Sequence, residues 1–241
     1  MKIYSKTDIG KVRSANQDAY FAGRIGDNAV FAVVCDGMGG ANAGNIASEN
    51  AVRSISEFVI RSYRDGMTNE EIEKTVKNAV ISANIELYDM SVSDKALNGM
   101  GTTAVLAFVY GNTAVIAHVG DSRIYLVNSS IKQLTRDHSV VQSLIESGKI
   151  TPEDAKVHPR KNVITRAVGA EENVAVDTAV LNIAEGDTLL LCTDGLTNYL
   201  DDGEILKTVR QTAPAEIPES LVNKANGNGG GDNITVVMIT G

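Results

Sequence analysis

The chain reads as an α+β sandwich, and three observations lead there. Strand-like and helix-like runs fall in blocks instead of alternating strictly, which disfavours a doubly wound parallel sheet. The middle of the chain holds consecutive apolar runs joined by turns too short for crossover helices. Two helical hairpins, at 43–90 and 202–225, stand apart on either side of that meander.

Taken in order, residues 3–9, 19–24 and 29–35 have strand character and are separated by polar turns. Residues 43–63 place Ile46, Val52, Ile55, Phe58 and Val59 close to helical spacing. Thr68-Asn-Glu-Glu71 has the form of a capping box and opens a second helix, with Ile72, Val76, Ala79, Val80, Ala83 and Leu87 as its buried stripe. Strands 102–110 and 113–119 flank Gly111-Asn112, a two-residue loop suited to a tight hairpin. Strands 123–128 and 131–134 follow, turning at Asn128-Ser129-Ser130. A short helix over 139–148 has Asp137 or Ser139 as its cap. A strand pair at 174–182 and 187–193, helices at 202–212 and 215–225, and a glycine-rich loop from Asn226 to Asp232 lead into the last strand, 233–239.

Bulk properties narrow the function. The chain has 241 residues and a net charge of −8. That charge argues against nucleic acid as a main partner, because phosphate backbones call for clustered Lys and Arg. No apolar run approaches the ~20 residues of a bilayer span, and Met1-Lys-Ile-Tyr-Ser lacks the apolar stretch of a signal peptide. Cys35 and Cys192 sit inside apolar runs and are expected to be buried free thiols in a reducing cytoplasm. The chain lacks a Gly-x-x-x-x-Gly-Lys-Ser/Thr phosphate loop, a Cys-x₅-Arg segment, and the Asp-x-Asp spacing of phosphoaspartate hydrolases at Asp36 and Asp194.

The informative residues are acidic. Asp36, Asp121, Asp194 and Asp232 each follow or precede an apolar run that reads as a strand. A carboxylate at the end of a buried strand is costly unless a charge compensates it. Four in one chain suggest a shared compensating charge, and hard divalent cations with all-oxygen ligands are the economical candidate.

Eight short motifs occur in a fixed order: Arg13-Ser-Ala-Asn-Gln-Asp-Ala-Tyr20, Asp36-Gly-Met-Gly-Gly40, Gly101-Thr-Thr103, Gly120-Asp-Ser-Arg123, Leu134-Thr-Arg-Asp-His-Ser139, Ile164-Thr-Arg-Ala-Val-Gly169, Cys192-Thr-Asp-Gly-Leu196 and Gly231-Asp-Asn-Ile-Thr235. Together they resemble the bacterial branch of the metal-dependent serine/threonine protein phosphatases, the protein phosphatase 2C family, over essentially the whole chain. The resemblance implies a four-layer αββα sandwich, two antiparallel sheets flanked by helix pairs. It also implies a single catalytic domain over 1–241 with a flap at about 144–166.

Carried over residue by residue, the resemblance makes Asp36, Asp194 and Asp232 direct ligands of two Mn²⁺ or Mg²⁺ ions. Asp36 would bridge them, and the Gly37 carbonyl would add a ligand. Asp18 would act through water or by orienting a ligand. Two cations ~3.5–4 Å apart would activate a bridging water for in-line attack on phosphorus. Arg13 matches the phosphate-binding arginine, whose paired donors suit two phosphate oxygens. Asp121 either joins Asp194 in a third, weaker metal site or caps its turn, and Asn233 either orients water and ligands or satisfies a turn.

Met38 departs from the eukaryotic pattern, which has histidine there as the proposed general acid; methionine has no proton to give. His118 reads as a packed core residue and His138 as a structural hydrogen-bonding group. In the flap, Arg160 and Lys161 either meet an acidic substrate or face solvent. The expected activity is hydrolysis of phosphoserine and phosphothreonine in proteins, opposing a bacterial serine/threonine kinase. The chain is expected to work as a cytoplasmic monomer without nucleic acid or direct membrane insertion. Two other readings compete with it, a non-catalytic binding module of the same fold and a phosphoesterase for small metabolites.

Overall fold

Strand β3 (Ala29–Met38) shows how the layers are made, because both of its faces are apolar. Ala29, Phe31, Val33 and Cys35 enter one hydrophobic cluster, while Val30, Ala32 and Val34 enter another. Successive side chains of a strand point to opposite faces, so a strand that is apolar throughout must be covered on both sides. The computed structural model describes residues 1–26, 28–39 and 43–241. Gly40 of the Asp36-Gly-Met-Gly-Gly motif lies outside them.

Two antiparallel sheets lie face to face. One runs in the order β1 (Lys2–Asp8), β11 (Ile234–Thr240), β10 (Thr188–Cys192), β7 (Arg123–Val127), β8 (Ile131–Gln133). The other runs β2 (Asp18–Ile25), β3, β5 (Ala104–Tyr110), β6 (Thr113–Val119), β9 (Asp177–Asn182), with the short β4 (Gly101–Thr102) paired to the end of β3. Val30, Val105 and Ile116 from one sheet meet Leu189, Leu191 and Val237 from the other in the middle layer. Helices α1 (Ala43–Ser62) and α2 (Asn69–Ser93) cover the outer face of the second sheet. Helices α6 (Asp202–Gln211) and α7 (Ile217–Gly227) cover that of the first. Three apolar layers thus separate four structural ones, as the resemblance implied.

Local chemistry explains the elements. Thr68 accepts from the Glu71 N–H while the Glu71 carboxylate accepts from the Thr68 N–H, so the capping box forms as expected. All six residues of the expected α2 stripe are buried. In α1 the small residues Ala43, Gly44, Ala47 and Ala51 face inward and let the helix approach β3 closely, leaving Ile46 and Phe58 only half-buried. Of the two caps considered for the helix near 139, Ser139 serves, accepting from the Gln142 N–H at the start of α3 (Val140–Glu146). Asp137 instead accepts a forked hydrogen bond from Arg123.

Two helices escaped the sequence reading. Helix α4 (Pro152–Val157) is capped by Thr151 with Asp154 reciprocating, and α5 (Asp194–Thr197) is a single turn following β10. The strand read as 102–110 is interrupted at Thr103, which donates its N–H to Asp36 O at 2.8 Å. The Thr103 hydroxyl, in place of a ladder carbonyl, receives the Asp36 N–H at 2.9 Å. The last helix begins at Ile217 after a 3₁₀ turn, Pro214–Glu216, because Pro218 sets its first turn.

Leu191, buried in the layer between the sheets, is expected to cost about 2–5 kcal/mol of stability when replaced by Ala. Val180, 39% exposed on β9, is expected to cost less than about 0.5 kcal/mol in the same change. Urea denaturation of the two variants checks the difference.

Candidate metal and phosphate site

The ends of both sheets deliver carboxylates to one place. Asp18 opens β2 and is the cross-strand partner of Asp36 near the end of β3. Asp121 lies in the turn between β6 and β7, Asp194 begins α5 after β10, and Asp232 immediately precedes Asn233 and β11. Arg13 comes from the connection between β1 and β2. A cleft of about 480 Å³ is lined by Arg13, Asp36, Gly37, Met38, Asp121, Asp194 and Asp232. Asp18 sits behind Asp36 and does not line it.

Glycine is required where the walls meet. A Cβ on Gly37 would lie 2.0 Å from Gly44 O, where α1 abuts the cleft, and one on Gly195 would lie 1.9 Å from Asn233 O. Both approaches carry the backbone beside an aspartate, at Asp36 and Asp194, into contact with a second element.

Electrostatics set the chemistry. Burial is the largest influence on Asp18, Asp36, Asp121 and Asp194 and raises all four carboxyls above their ordinary range. Their mutual repulsion adds to the effect. Asp18 and Asp121 are each pushed up to about 7. Asp18 Oδ1 and Asp194 Oδ1 are buried with no hydrogen-bond partner. Asp194 Oδ2 accepts from Asn198 Nδ2 at 2.9 Å, and both Asp18 bonds fall on Oδ2. A donorless oxygen on Asp194 in a cleft rich in negative charge, with a second on Asp18, the cross-strand partner of Asp36, fits a hard divalent cation with oxygen ligands.

The cation present at the rim is Arg13, whose Nη2 donates to Asp232 Oδ2 at 2.8 Å. That hydrogen bond and the charge of Asp232 raise the guanidinium pKa further, so it stays charged. Half of its side chain remains exposed. Asn233 turns away from the cleft: its Nδ2 donates to Ile9 O and Ala15 O, and its Oδ1 accepts from the Gln17 N–H. Of its two readings, the hydrogen bonds are those of the turn amide, here tying down the loop that carries Arg13.

The structure also brings together residues that the sequence kept apart. Thr103 Oγ1 meets Ser122 Oγ at 2.8 Å, linking the Asp36 backbone to the turn of Asp121. His118 and His138 stack with ring centroids 4.7 Å apart. With Asp177 they form the tightest metal-like trio among the described residues, their candidate atoms all within 4.8 Å. These atoms are already engaged. His138 Nδ1 accepts from the Gly120 N–H, its Nε2 faces Asp177 Oδ2, and Arg166 places a guanidinium nitrogen 3.0 Å from that Nε2. His118 Nε2 is held by the Arg136 backbone. Arg166 supplies the positive charge there, so the trio is a structural brace.

In the segment 144–166, Asn162 and Ile164 reach the cleft wall. Arg160 and Lys161 are exposed, and Lys161 borders a second cavity of about 820 Å³. That cavity lies between α3–α4 and the start of α6 and shares Asp121 and Asp194 with the cleft. Met38 lines the cleft and offers no proton donor. Cys35 and Cys192 are free and buried, in the layers on opposite outer sides of the sandwich.

Carboxylates gathered at the rim of a two-sheet sandwich, beside a guanidinium, define a protein suited to divalent cations and an anionic substrate. The sequence profile of protein phosphatase 2C matches residues 11–224, and the chain belongs to that family, whose members are metal-dependent. It is 44% identical to the serine/threonine phosphatase stp of Listeria monocytogenes over 97% of this chain and 93% of the relative. The crystal structure of the serine/threonine phosphatase Stp1 from Staphylococcus aureus superposes with a TM-score of 0.93 at 35% identity, covering 100% of this chain and 95% of that one. The catalytic domain of the serine threonine protein phosphatase PstP, in complex with 2 manganese ions, gives a TM-score of 0.85 at 31% identity, covering 98% and 96%.

Raised carboxyl pKa values mean that the metal-free folded state binds protons more tightly than the unfolded chain does. Its stability is therefore expected to be greatest below about pH 4 in respect of these groups, and to fall as pH rises toward 7. His118 and His138, held below their ordinary value by burial, oppose this with two groups against four. Thermal melting in chelator should show Tm falling between pH 5 and pH 7.5, and saturating Mn²⁺ should remove that fall. A Tm that climbs over this range without metal would contradict the arrangement.

Proposed function

We propose that this protein removes phosphate from phosphoserine and phosphothreonine in other proteins, opposing a serine/threonine kinase. The observation that carries this reading is the convergence of Asp18, Asp36, Asp121, Asp194 and Asp232 at one edge of the sandwich, with Arg13 at its mouth. Asp36, Asp194 and Asp232, with the Gly37 carbonyl, would hold two divalent cations, Mn²⁺ or Mg²⁺. Asp121 with Asp194 would hold a third. When bound, such ions supply Lewis-acid activation of water and neutralise phosphate charge.

The chain's own residues do the remainder. Arg13 swings from Asp232 to two phosphate oxygens and stabilises the charge that builds on them. Thr103 and Ser122 keep Asp36 and the Asp121 turn in register. No side-chain nucleophile enters this reading: burial drives the Cys35 thiol far up and the Cys192 thiol to about 12, so neither thiolate forms at neutral pH. Methionine at 38 leaves the leaving alkoxide to be protonated from solvent in the open cleft.

Residues 1–241 are read as one catalytic domain. The segment 144–166 is its flap, and the cavity between α3–α4 and α6 is room for protein substrate beside the phosphate. No described helix is long and apolar enough to cross a membrane. A cytoplasmic monomer completes the reading, supported by the two unpaired buried cysteines.

Hydrolysis of a phosphothreonine peptide is expected to require Mn²⁺ or Mg²⁺ and to fall by at least about 10²-fold in Asp194→Asn and in Asp232→Asn. Metal-independent release, or full turnover in both variants at limiting Mn²⁺, would overturn the assignment. Arg13→Ala is expected to cut kcat/KM by about 10²-fold while Mn²⁺ stoichiometry by calorimetry stays unchanged; lost stoichiometry would make Arg13 structural.

A further inference from the structure

Asp18 receives its hydrogen bonds in a way that determines which of its oxygens is available. Thr193 Oγ1 donates to Asp18 Oδ2 at 2.9 Å and Thr235 Oγ1 donates to the same oxygen at 2.7 Å. Nothing donates to Oδ1, which is buried. The directions of these bonds follow from the groups behind them. The Asp18 N–H donates to Asn16 Oδ1, which orients the Asn16 amide and sends its Nδ2 to Thr7 Oγ1 at 2.9 Å. Thr7 therefore accepts from Asn16 and gives its own proton to Thr235 Oγ1, 2.8 Å away. Thr235 in turn has its proton free for Asp18. On the other side the Thr235 N–H donates to Thr193 Oγ1 at 3.0 Å, so the Thr193 proton also goes to Asp18. A hydroxyl has one proton, and in this arrangement each proton has one destination.

We infer that Asn16, Thr7, Thr235 and Thr193 are positioning residues, a one-way relay of donors that holds Asp18 by Oδ2 and reserves Oδ1 for the metal centre. The inference rests on the metal-centre reading above and adds to it a set of residues that touch neither ion nor phosphate. The relay joins β1 through Thr7, β2 through Asp18, β11 through Thr235 and the end of β10 through Thr193. It therefore spans both sheets at the edge where the site is built. Thr193 and Thr235 are fully buried, so solvent cannot replace either hydroxyl. Valine at Thr235 keeps the branched shape and removes the donor. Serine keeps the donor and removes a methyl.

The test is calorimetric titration of Mn²⁺ into chelator-stripped wild type, Thr235→Val, Thr235→Ser and Thr7→Val, with folding checked by circular dichroism. Thr235→Val is expected to lower Mn²⁺ affinity about tenfold, the usual scale for losing a group that orients a ligand. Thr235→Ser should keep the wild-type affinity, and Thr7→Val should weaken binding by a smaller factor. Wild-type affinity in Thr235→Val, or equal losses in the Val and Ser variants, would overturn the relay. Should Thr235→Val fail to fold, unchanged affinity in Thr7→Val would overturn it instead. The titration reads ion binding without turnover, so it separates failure of the relay from failure of the phosphatase reading, which the phosphopeptide assay alone decides.

Discussion

Everything at the working edge of this protein follows from repulsion between buried carboxylates. Asp36 faces Asp18, Asp194, Asp121 and Asp232 with little water to screen them. In a low dielectric such a cluster stands only if protons or cations balance it. The fold meets that demand in stages. Threonine hydroxyls stabilise one oxygen of Asp18, Asn198 stabilises one oxygen of Asp194, and Arg13 lies on Asp232. What these groups leave over is two bare oxygens and uncompensated charge, which is the specification for a divalent ion.

The sandwich makes such a concentration of charge tolerable. Three apolar layers hold the four structural layers together along their whole area, so a costly edge can be carried by a stable body. The aspartates stand at strand ends or next to them, where a side chain leaves the apolar layer and the backbone is free to turn. The contacts of Gly37 with α1 and of Gly195 with β11 bring neighbouring elements close enough for the carboxyls to converge. Precision comes from hydrogen bonds across that edge: Thr103 to Asp36 and Ser122 on one side, Asn233 to the Arg13 loop on the other.

Much of this was legible in the chain. Period-2 and helical apolar patterns placed most elements, because the faces that these elements bury against the layers had to be apolar. The aspartates stood out because Asp after a run such as Phe31-Ala-Val-Val-Cys35 has no packing reason to be there. Other features were hidden for physical reasons. Helix α5 is one turn long, too short for any periodicity, and α4 was announced only by Thr151-Pro-Glu-Asp154, a cap without an apolar stripe behind it. The threonine relay is invisible because a hydroxyl's partner is fixed by three-dimensional direction, although Thr193 and Thr235 lie inside motifs noted for their acids. The stacking of His118 on His138 depends on register across β6 and the loop after β8, which no local pattern encodes.

The histidine brace and the aspartate cleft show opposite solutions to one problem. Around Asp177 the protein brings its own cation, Arg166, and two neutral imidazoles whose protonation burial disfavours, so the cluster is complete within the chain. Among the described residues no cationic side chain hydrogen-bonds Asp36: Arg123 is engaged by Asp137, and Arg13 stays at the rim, half-exposed and bonded to a single oxygen of Asp232. A guanidinium in the centre would satisfy the charge and close the site. In the proposed function, keeping it at the rim leaves the centre to ions from outside and lets Arg13 turn toward an arriving phosphate. The brace then has a mechanical part in the same site: His138 holds Gly120 through both its backbone N–H and its ring, while its carbonyl accepts from Thr165 beside the cleft wall. The turn of Asp121 and the wall carrying Ile164 are thus anchored to a cluster whose charge is already settled, and metal occupancy need not disturb that anchor.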